Sequence, residues 1–272
     1  MSKPLLVVDA PSLLYRSFHA LPKSITDDDG QPVNALLGTA NQILRVVADH
    51  DPRAVVLCFG LDAATYRVEL LPAYHADRPP VPDELGPQFL DSPAFFGAFG
   101  WTSEATDTHE ADDLLGSYTL VEEKAGGTVR LLTGDRDMFQ CASKQTKVLY
   151  VKPGGPEVMG PAEVKKRYGV TPAQVPDFIA LRGDPSDGIP GAKGIGEKTA
   201  AELLRKHGTL ERAIADGGPK ITEHLLDYKE MATLAHLKVK RPKDSPLDRE
   251  GAAKAAEARG MNRLAERLRS GG

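Results

Sequence analysis

Cysteine is nearly absent: the 272 residues contain only Cys58 and Cys141, far apart and each inside or beside an apolar run. That excludes a disulfide framework and a zinc cluster, and it points to a reducing, cytosolic compartment. Also missing is any apolar run of the roughly 18 residues that a membrane span needs. The N-terminus passes almost at once into Pro4-Leu5-Leu6-Val7-Val8-Asp9, which reads as a strand and not as a leader. Neither secretion nor anchoring has a visible signal, and there is no internal repeat or low-complexity tract. A surplus of positive charge is lacking too. The net charge of −4 speaks at first against a nucleic-acid partner, because phosphate binding is electrostatic. What the chain does have is 41% hydrophobic residues, enough for a real core and too many for a disordered chain.

Four apolar, β-branched runs read as strands buried on both faces: 5–8, 54–59, 129–132 and 148–151. Helical patterns lie between them at 11–20, 35–49 and 112–124, and the alternation predicts an α/β core with a doubly wound parallel sheet. Beyond about residue 160 the texture changes to short helices broken by Gly and Pro, at 161–168, 172–181, 196–207 and 210–214. The expected division is therefore an α/β core over 1–160 and a helical C-terminal region over 161–272. Residues 70–93, rich in proline between a strand and the next sheet helix, read as an exposed excursion of the kind that often carries function. The stretch 252–269 reads as an ordinary surface helix.

Three of the strands run into aspartate: Asp9, Asp62, and Asp135 with Asp137. The carboxyl edge of an open parallel sheet is where ligands bind, so the sheet itself would gather these acids into one crevice. Any single one is as readily a helix N-cap; the coincidence of three strands is harder to dismiss. A helix expected from about Thr108 opens with Glu110, Asp112 and Asp113, and acids in a first turn also complement the helix dipole. Glu110 can join Asp112 on one face only if it precedes regular helix. Asp184 and Asp187 sit in the turn-rich Gly183-Asp184-Pro185-Ser186-Asp187-Gly188. Nine carboxylates without His or Cys suit Mg²⁺ or Mn²⁺ rather than zinc. Two ions roughly 3.5–4 Å apart would use that many ligands, and such a pair is a standard device for in-line phosphodiester hydrolysis. Removing those nine negative charges from a net of −4 leaves the rest of the chain at +5, so mild acidity excludes nothing.

Downstream lies Pro190-Gly191-Ala192-Lys193-Gly194-Ile195-Gly196-Glu197-Lys198-Thr199-Ala200, a helix-hairpin-helix signature within about 176–207. Gly194 and Gly196 would let backbone N–H groups approach a phosphate, the helix N-terminus through Thr199 would present free donors, and Lys193 and Lys198 would add charge.

With these motifs in place the sequence resembles the 5′-nuclease superfamily, most of all the 5′-3′ exonuclease domain of bacterial DNA polymerase I and its free-standing flap-endonuclease relatives. The likeness runs from about Leu5 to His207 through the Tyr15-Arg16-Ser17-Phe18-His19 segment, Arg67, Tyr74, Thr133-Gly134-Asp135-Arg136-Asp137 and the hairpin. The resemblance implies a PIN-like fold and a divalent-metal-dependent 5′-nuclease acting on flaps, frayed ends and nicks in DNA replication and repair. It assigns Asp9, Asp62, Glu110 and Asp112, with Asp113 as a further candidate, to one metal site and Asp135, Asp137, Asp184 and Asp187 to a second. It implies a helical arch at about 67–92 that threads a 5′ strand, with Arg67, Tyr74 and Arg78 on its phosphates and Arg16 facing the scissile region. A K⁺ ion at the hairpin would rest on the carbonyls of Leu181, Arg182, Pro190, Ala192 and Ile195. A monomer in the bacterial cytoplasm, associated with the nucleoid, completes the expectation; no clamp, ligase or polymerase partner is indicated. The sequence departs from the family pattern at His75, where relatives carry Lys, at Gly188, where they carry Asn, and at Ala10, where they carry Gly.

Three rival readings compete. A haloacid-dehalogenase phosphatase needs a second Asp two residues after the first, where Pro11 stands. A DNA-junction binder that has lost its metals would not keep every ligand position acidic. A PIN-type ribonuclease shares sheet and acids but has no reason to carry the hairpin.

Overall fold

The computed structural model describes residues 3–216 and 221–271. Six strands form one sheet: β1 (Leu5–Asp9), β2 (Ala54–Leu61), β3 (Thr102–Glu110), β4 (Val129–Thr133), β5 (Thr146–Tyr150) and β6 (Glu157–Met159). Their order is β3-β2-β1-β4-β5-β6, with the first five parallel and β6 antiparallel to β5. The chain winds outward from β1 in one direction and then in the other. The reversal opens a crevice at the carboxyl ends of β1, β2 and β4.

Every residue of β1 is buried, which is why it reads as an unbroken apolar run. Two strands carry no such signal. β3 is an edge strand whose Thr102–His109 stretch is exposed or half-buried throughout, so little selects apolar residues there, and the helix expected from Thr108 begins only at Ala111. β6 has three residues, too few for a periodicity.

Helices α1 (Ala10–Ala20), α2 (Asn34–His50), α3 (Thr65–Leu70), α4 (Gly86–Gly97) and α5 (Ala111–Lys124) belong to the sheet half. They are followed by α6 (Pro161–Tyr168), α7 (Val175–Arg182), α8 (Glu197–His207), α9 (Leu210–Ala215), α10 (Leu225–Ala232), α11 (Arg249–Glu257) and α12 (Asn262–Ser270). One face of the sheet packs Leu6 and Val8 against Leu13, Ile43, Phe95 and Phe96 of α1, α2 and α4. The other packs Leu5, Val7 and Val56 against Leu114, Leu115 and Tyr118 of α5. The expected arch is helical only at its ends, in α3 and the start of α4, and the chain between runs through turns and irregular segments. Buried Gln88 of α4 ties this excursion down. Its carbonyl accepts the Ala35 and Leu36 N–H groups at 2.8 and 3.3 Å, satisfying free donors at the start of α2.

The C-terminal stretch differs from its reading as a surface helix. It forms two helices, α11 and α12, and buries Ala252, Ala253, Ala256, Leu264 and Leu268 in the cluster that holds Phe95, Phe99 and Trp101. Alanines allow close packing while adding little to an apolar pattern, so this face looks like solvent surface in sequence. An extended strap delivers it: the Ala235 and Leu237 N–H groups donate to Asp113 and Ser117, each at 2.8 Å, and Arg241 bonds buried Glu122 at 2.9 Å. Glu122 also grips Arg53, and the Arg53 carbonyl accepts the Ser245 N–H at 2.8 Å. Leu268→Ala is therefore expected to cost about 2–4 kcal/mol, the range for truncating a buried leucine. Urea unfolding checks this, and a loss under about 0.5 kcal/mol would instead mark a surface position.

Candidate active site

The crevice is built from strand ends stitched to one another. Asp9 closes β1 and caps α1, accepting the Ser12 N–H at 3.1 Å on one oxygen and the Thr133 hydroxyl at 2.6 Å on the other. Thr133, fully buried at the end of β4, accepts the Asp135 N–H at 2.9 Å, and Asp135 accepts the Asp137 N–H at 2.8 Å. One threonine thus links two strands and fixes the start of the acid-bearing turn. The sequence motif includes Thr133 but gives it no role; the structure supplies one.

Glu110 ends β3 just before the regular turns of α5, the condition for it to share a face with Asp112. The Ala64 N–H, the Tyr74 hydroxyl and Arg67 hold its carboxylate at 2.8, 2.9 and 2.6 Å. Its approach to β2 depends on Gly60, where a Cβ would lie 2.4 Å from the Ala111 nitrogen. Gly134 has a similar role beneath Arg16, which donates to the Gly134 carbonyl at 2.6 Å and covers the space that a side chain there would need.

Eight of the nine candidate acids line a single cleft of about 1990 Å³: Asp9, Asp62, Glu110, Asp112, Asp135, Asp137, Asp184 and Asp187. Arg16 and Arg78 line it as well. Burial, reinforced by neighbouring carboxylates, raises the proton affinity of Asp112 and Asp137 well above the usual range. Burial likewise raises Asp9, against the hydrogen bonds it accepts, and pushes Asp135 up to about 6, with Asp187, Asp9 and Asp184 contributing. Asp187 goes the other way: burial opposes its ionisation, but its hydrogen bond to His75 and the charges around it bring it below the ordinary value.

Several candidates stand elsewhere than expected. Asp113 does not line the cleft; it is 0% exposed and accepts from Arg67, Tyr66 and the Ala235 and Glu110 N–H groups. Arg67, 3% exposed, is committed to Glu110, Asp113 and the Met231 carbonyl, so in this structure it props up carboxylates. Tyr74 is buried with its hydroxyl on Glu110. Asp62, with a side chain 73% exposed, stands on the rim paired to Arg78, which also reaches Asp187. His75 stacks on Tyr74 at 3.8 Å, and its ring nitrogens face the Asp62 carbonyl and the Asp187 carboxylate. It holds the excursion to the acid loop and does not present a free cation.

Among the described residues, no three acid, His or Cys side chains yet close around one point. Arg67, Arg78 and Arg182 draw Glu110, Asp62, Asp187 and Asp184 toward themselves. A cluster of oxygen-only donors whose members raise one another's proton affinity nevertheless fits hard divalent cations, which would take over the role of those protons.

On the loop between α7 and α8, Lys193, Gly194 and Gly196 are exposed, as are Lys198 and Thr199 in the first turn of α8, while Ile195 is buried against Ala200 and Leu204. Gly194 has φ +78°, open to glycine, and Gly196 borders empty space. The Leu181 carbonyl accepts the Ala192 N–H and the Ala192 carbonyl the Ile195 N–H, at 2.9 and 3.0 Å. The other carbonyls singled out in the sequence are those of Arg182, at the end of α7, and of Pro190 and Ile195, on the loop that follows.

An α/β fold with acids crowded at the switch point of its parallel sheet, beside an exposed glycine-lysine hairpin, is the architecture of a metal-dependent nuclease. The pattern of the 5′-3′ exonuclease N-terminal resolvase-like domain matches residues 4–169, and that of the 5′-3′ exonuclease C-terminal SAM fold matches 170–259. A 5′-3′ exonuclease of Mycobacterium tuberculosis is 37% identical over 262 residues, spanning 88% of this chain and 82% of that protein. DNA polymerase I of Bacillus caldotenax is 35% identical over 254 residues, covering 91% of this chain but only 29% of the polymerase. Among solved structures, the bacteriophage T5 D15 flap endonuclease in a pseudo-enzyme-product complex with DNA and metal ions is similar. Its TM-score is 0.67 at 18% identity, over 84% of this chain and 86% of that one. The catalytic core of Rad2 in complex with DNA substrate gives 0.62 at 13% identity, over 98% and 91%. The chain belongs to the 5′-3′ exonuclease family and is a nuclease of that family. No helix among the described residues is long and apolar enough to cross a membrane.

The raised proton affinities carry a stability consequence. Between the ordinary value of 3.8 and about 6, folded Asp135 holds a proton that the unfolded chain has released, so its contribution to stability falls as pH rises through that window. Asp135→Asn removes this ionisation. Its thermal midpoint without divalent ions is expected to exceed that of the unaltered protein at pH 7, by about 2–4 °C per kcal/mol relieved, and to converge with it toward pH 4. Calorimetry in chelator checks this; equal midpoints at pH 7 would mean that Asp135 ionises without strain.

Proposed function

We propose that this nuclease hydrolyses DNA phosphodiesters at 5′ flaps, frayed ends and nicks, acting as a flap endonuclease and 5′-3′ exonuclease in replication and repair. The observation that carries this reading is the crowd of high-proton-affinity carboxylates facing one cleft next to an exposed hairpin. Asp9, Glu110 and Asp112 would hold one Mg²⁺ or Mn²⁺ ion, with Asp62 reaching it from the rim once released by Arg78. Asp135, Asp137, Asp184 and Asp187 would hold a second. Asp113 serves instead as the anchor of Arg67. When bound, the ions supply an activated water and charge stabilisation for the pentavalent phosphoryl group.

The protein's own groups prepare that site. Thr133 and Ser12 fix the Asp9 carboxylate, and Arg67, Tyr74 and the Ala64 N–H fix Glu110, so neither has to reorganise when ions arrive. Arg16 stands at the cleft with its guanidinium on the Gly134 carbonyl, placed to meet a phosphate between the acids. Arg78, on the excursion, would exchange its two carboxylates for the backbone of a threaded 5′ strand. The exposed Lys193, Gly194, Gly196, Lys198 and Thr199 would grip duplex backbone, with K⁺ on the carbonyls of Leu181, Arg182, Pro190, Ala192 and Ile195. The protein would work as a monomer in the bacterial cytoplasm, associated with the nucleoid.

Activity on a 5′-labelled flap is expected to require Mg²⁺ or Mn²⁺ and to vanish in chelator. Asp112→Asn should lower kcat by about 100-fold or more, the order set by losing one preorganised electrostatic contact, while DNA affinity in chelator is kept or improved. Undiminished turnover by that variant would remove the metal assignment. Threading gives a separate expectation: a bulky protein attached to the 5′ end should slow cleavage severely and the same block at the 3′ end should not. Equal rates would leave only recognition from the duplex surface.

A further inference from the structure

Helix α10 has no part in the reading above, yet its carboxyl end touches both halves of the acid set. A helix leaves its last four carbonyls without intrahelical partners. Those of Lys229 and Glu230 accept the Thr233 N–H at 3.0 and 3.2 Å as the chain turns away. The next two are taken by side chains from far along the sequence. The Met231 carbonyl accepts Nε of Arg67 at 3.0 Å, and the Ala232 carbonyl accepts the Gln140 amide at 2.9 Å. Arg67 is the residue that holds Glu110 and Asp113, and its charge suits the negative end of a helix.

Gln140 belongs to the short 3₁₀ turn Asp137–Cys141, which begins at one of the acids. The amide nitrogen that reaches Ala232 also donates to the Asp137 carbonyl at 3.0 Å, and the amide oxygen faces the Leu234 N–H at 3.4 Å. An amide has two N–H bonds, so one Gln140 side chain can serve both carbonyls at once. The helix end it grips is itself anchored, because Lys229 pairs with buried Asp177 of α7 at 2.7 Å. Asp137 needs such a tether. Burial and the charges of Asp135, Asp187 and Asp184 all oppose its ionisation, and a carboxylate under that repulsion swings away unless its backbone is fixed.

We propose that Gln140 is a positioning residue for the ion site of Asp135 and Asp137. By joining the Asp137 carbonyl to the carboxyl end of α10, it keeps that carboxylate among its neighbours, while Arg67 ties the Glu110 half to the same helix end. This role rests on the two-ion reading given above. Hydrogen bonds that orient a ligand from behind commonly govern metal affinity, and here the orienting group would act through the main chain.

The test is Gln140→Met, which keeps length and apolar bulk and removes both donors. In calorimetric titration with Mn²⁺ and no DNA, the dissociation constant of one ion should rise about ten-fold or more, the lower end of the range for such orienting contacts, and the other should change little. Flap-DNA affinity in chelator should be unchanged. Cleavage should need more Mg²⁺ but approach the unaltered rate at saturation, a split that a general loss of structure would not produce. Thr233→Ala removes a 2.7 Å bond to the Lys229 carbonyl at the same helix end without touching an acid, and should titrate like the unaltered protein. Should Gln140→Met not fold, Gln140→Asn, too short to span both carbonyls, is expected to shift the same ion in the same direction. A Mn²⁺ titration unchanged by the Gln140 variant, an equal weakening in Thr233→Ala, or a joint loss of both ions and of DNA would overturn the proposal. The unaltered protein separates the two ideas. If it binds fewer than two Mn²⁺ ions the two-ion reading falls, and this role with it; if it binds two and the variant matches it, only the role of Gln140 fails.

Discussion

Electrostatic repulsion among carboxylates at one sheet edge is the constraint around which this molecule is arranged. Charges of one sign brought together out of water cost several kcal/mol each unless something offsets them. Three kinds of offset are present. Proton affinity is raised by burial at Asp9, Asp112, Asp135 and Asp137. Hydrogen bonds are supplied by Ser12, Thr133 and the Ala64 N–H. Arginines move in, Arg67 permanently and Arg78 from the rim. The protons and the rim pairing of Arg78 would be exchangeable for metal ions, whereas the hydrogen bonds and buried Arg67 would stay, leaving the scaffold fixed while the occupants change.

Holding such a cluster requires a rigid floor. β1 supplies it, buried at every residue between β2 and β4, with apolar layers on both faces. The layers are completed by distant parts of the chain: the strap on α5 engages Asp113, which anchors Arg67, which in turn holds Glu110. Residue 235 is thereby connected to the acid site through three side chains. The same strap carries α11 and α12 to the opposite face of the sheet, where they close the Phe95–Phe99 layer. The C-terminal region is in this sense part of the mounting of the site.

The cleft has two unlike ends. At one, Arg78 pairs with Asp62 and Asp187; at the other, Arg45 and Arg136 bond only a backbone carbonyl and a hydroxyl. A polyanion meeting this cleft finds cations on its approach and carboxylates at its centre, where only metal ions make a phosphate welcome. A net charge of −4 is thus compatible with a nucleic-acid substrate, because what matters is where the charge lies.

The sequence by itself determined the α/β class, the four buried strands, the acids at their ends and the hairpin. Each follows from short-range rules: a strand covered on both faces must be apolar throughout, and an aspartate that follows it must lie at the sheet's carboxyl edge. Tertiary structure decided what depends on partners distant in the chain. β3 is polar because it lies at an edge, and the Ala252–Leu268 face is buried because small side chains let two helices approach the Phe95–Phe99 layer. Asp113 and Asp62 look like ligands in sequence. The first is turned inward by Arg67 and the strap, and the second is carried outward by the end of β2. Arg67 and Tyr74 keep the motif's spacing, yet their side chains bond Glu110, while His75, where the pattern departs, bonds Asp187. Spacing fixes which residues can share a neighbourhood. Which way each side chain turns is settled by the charges and packing it meets there, and those come from chain far away in sequence.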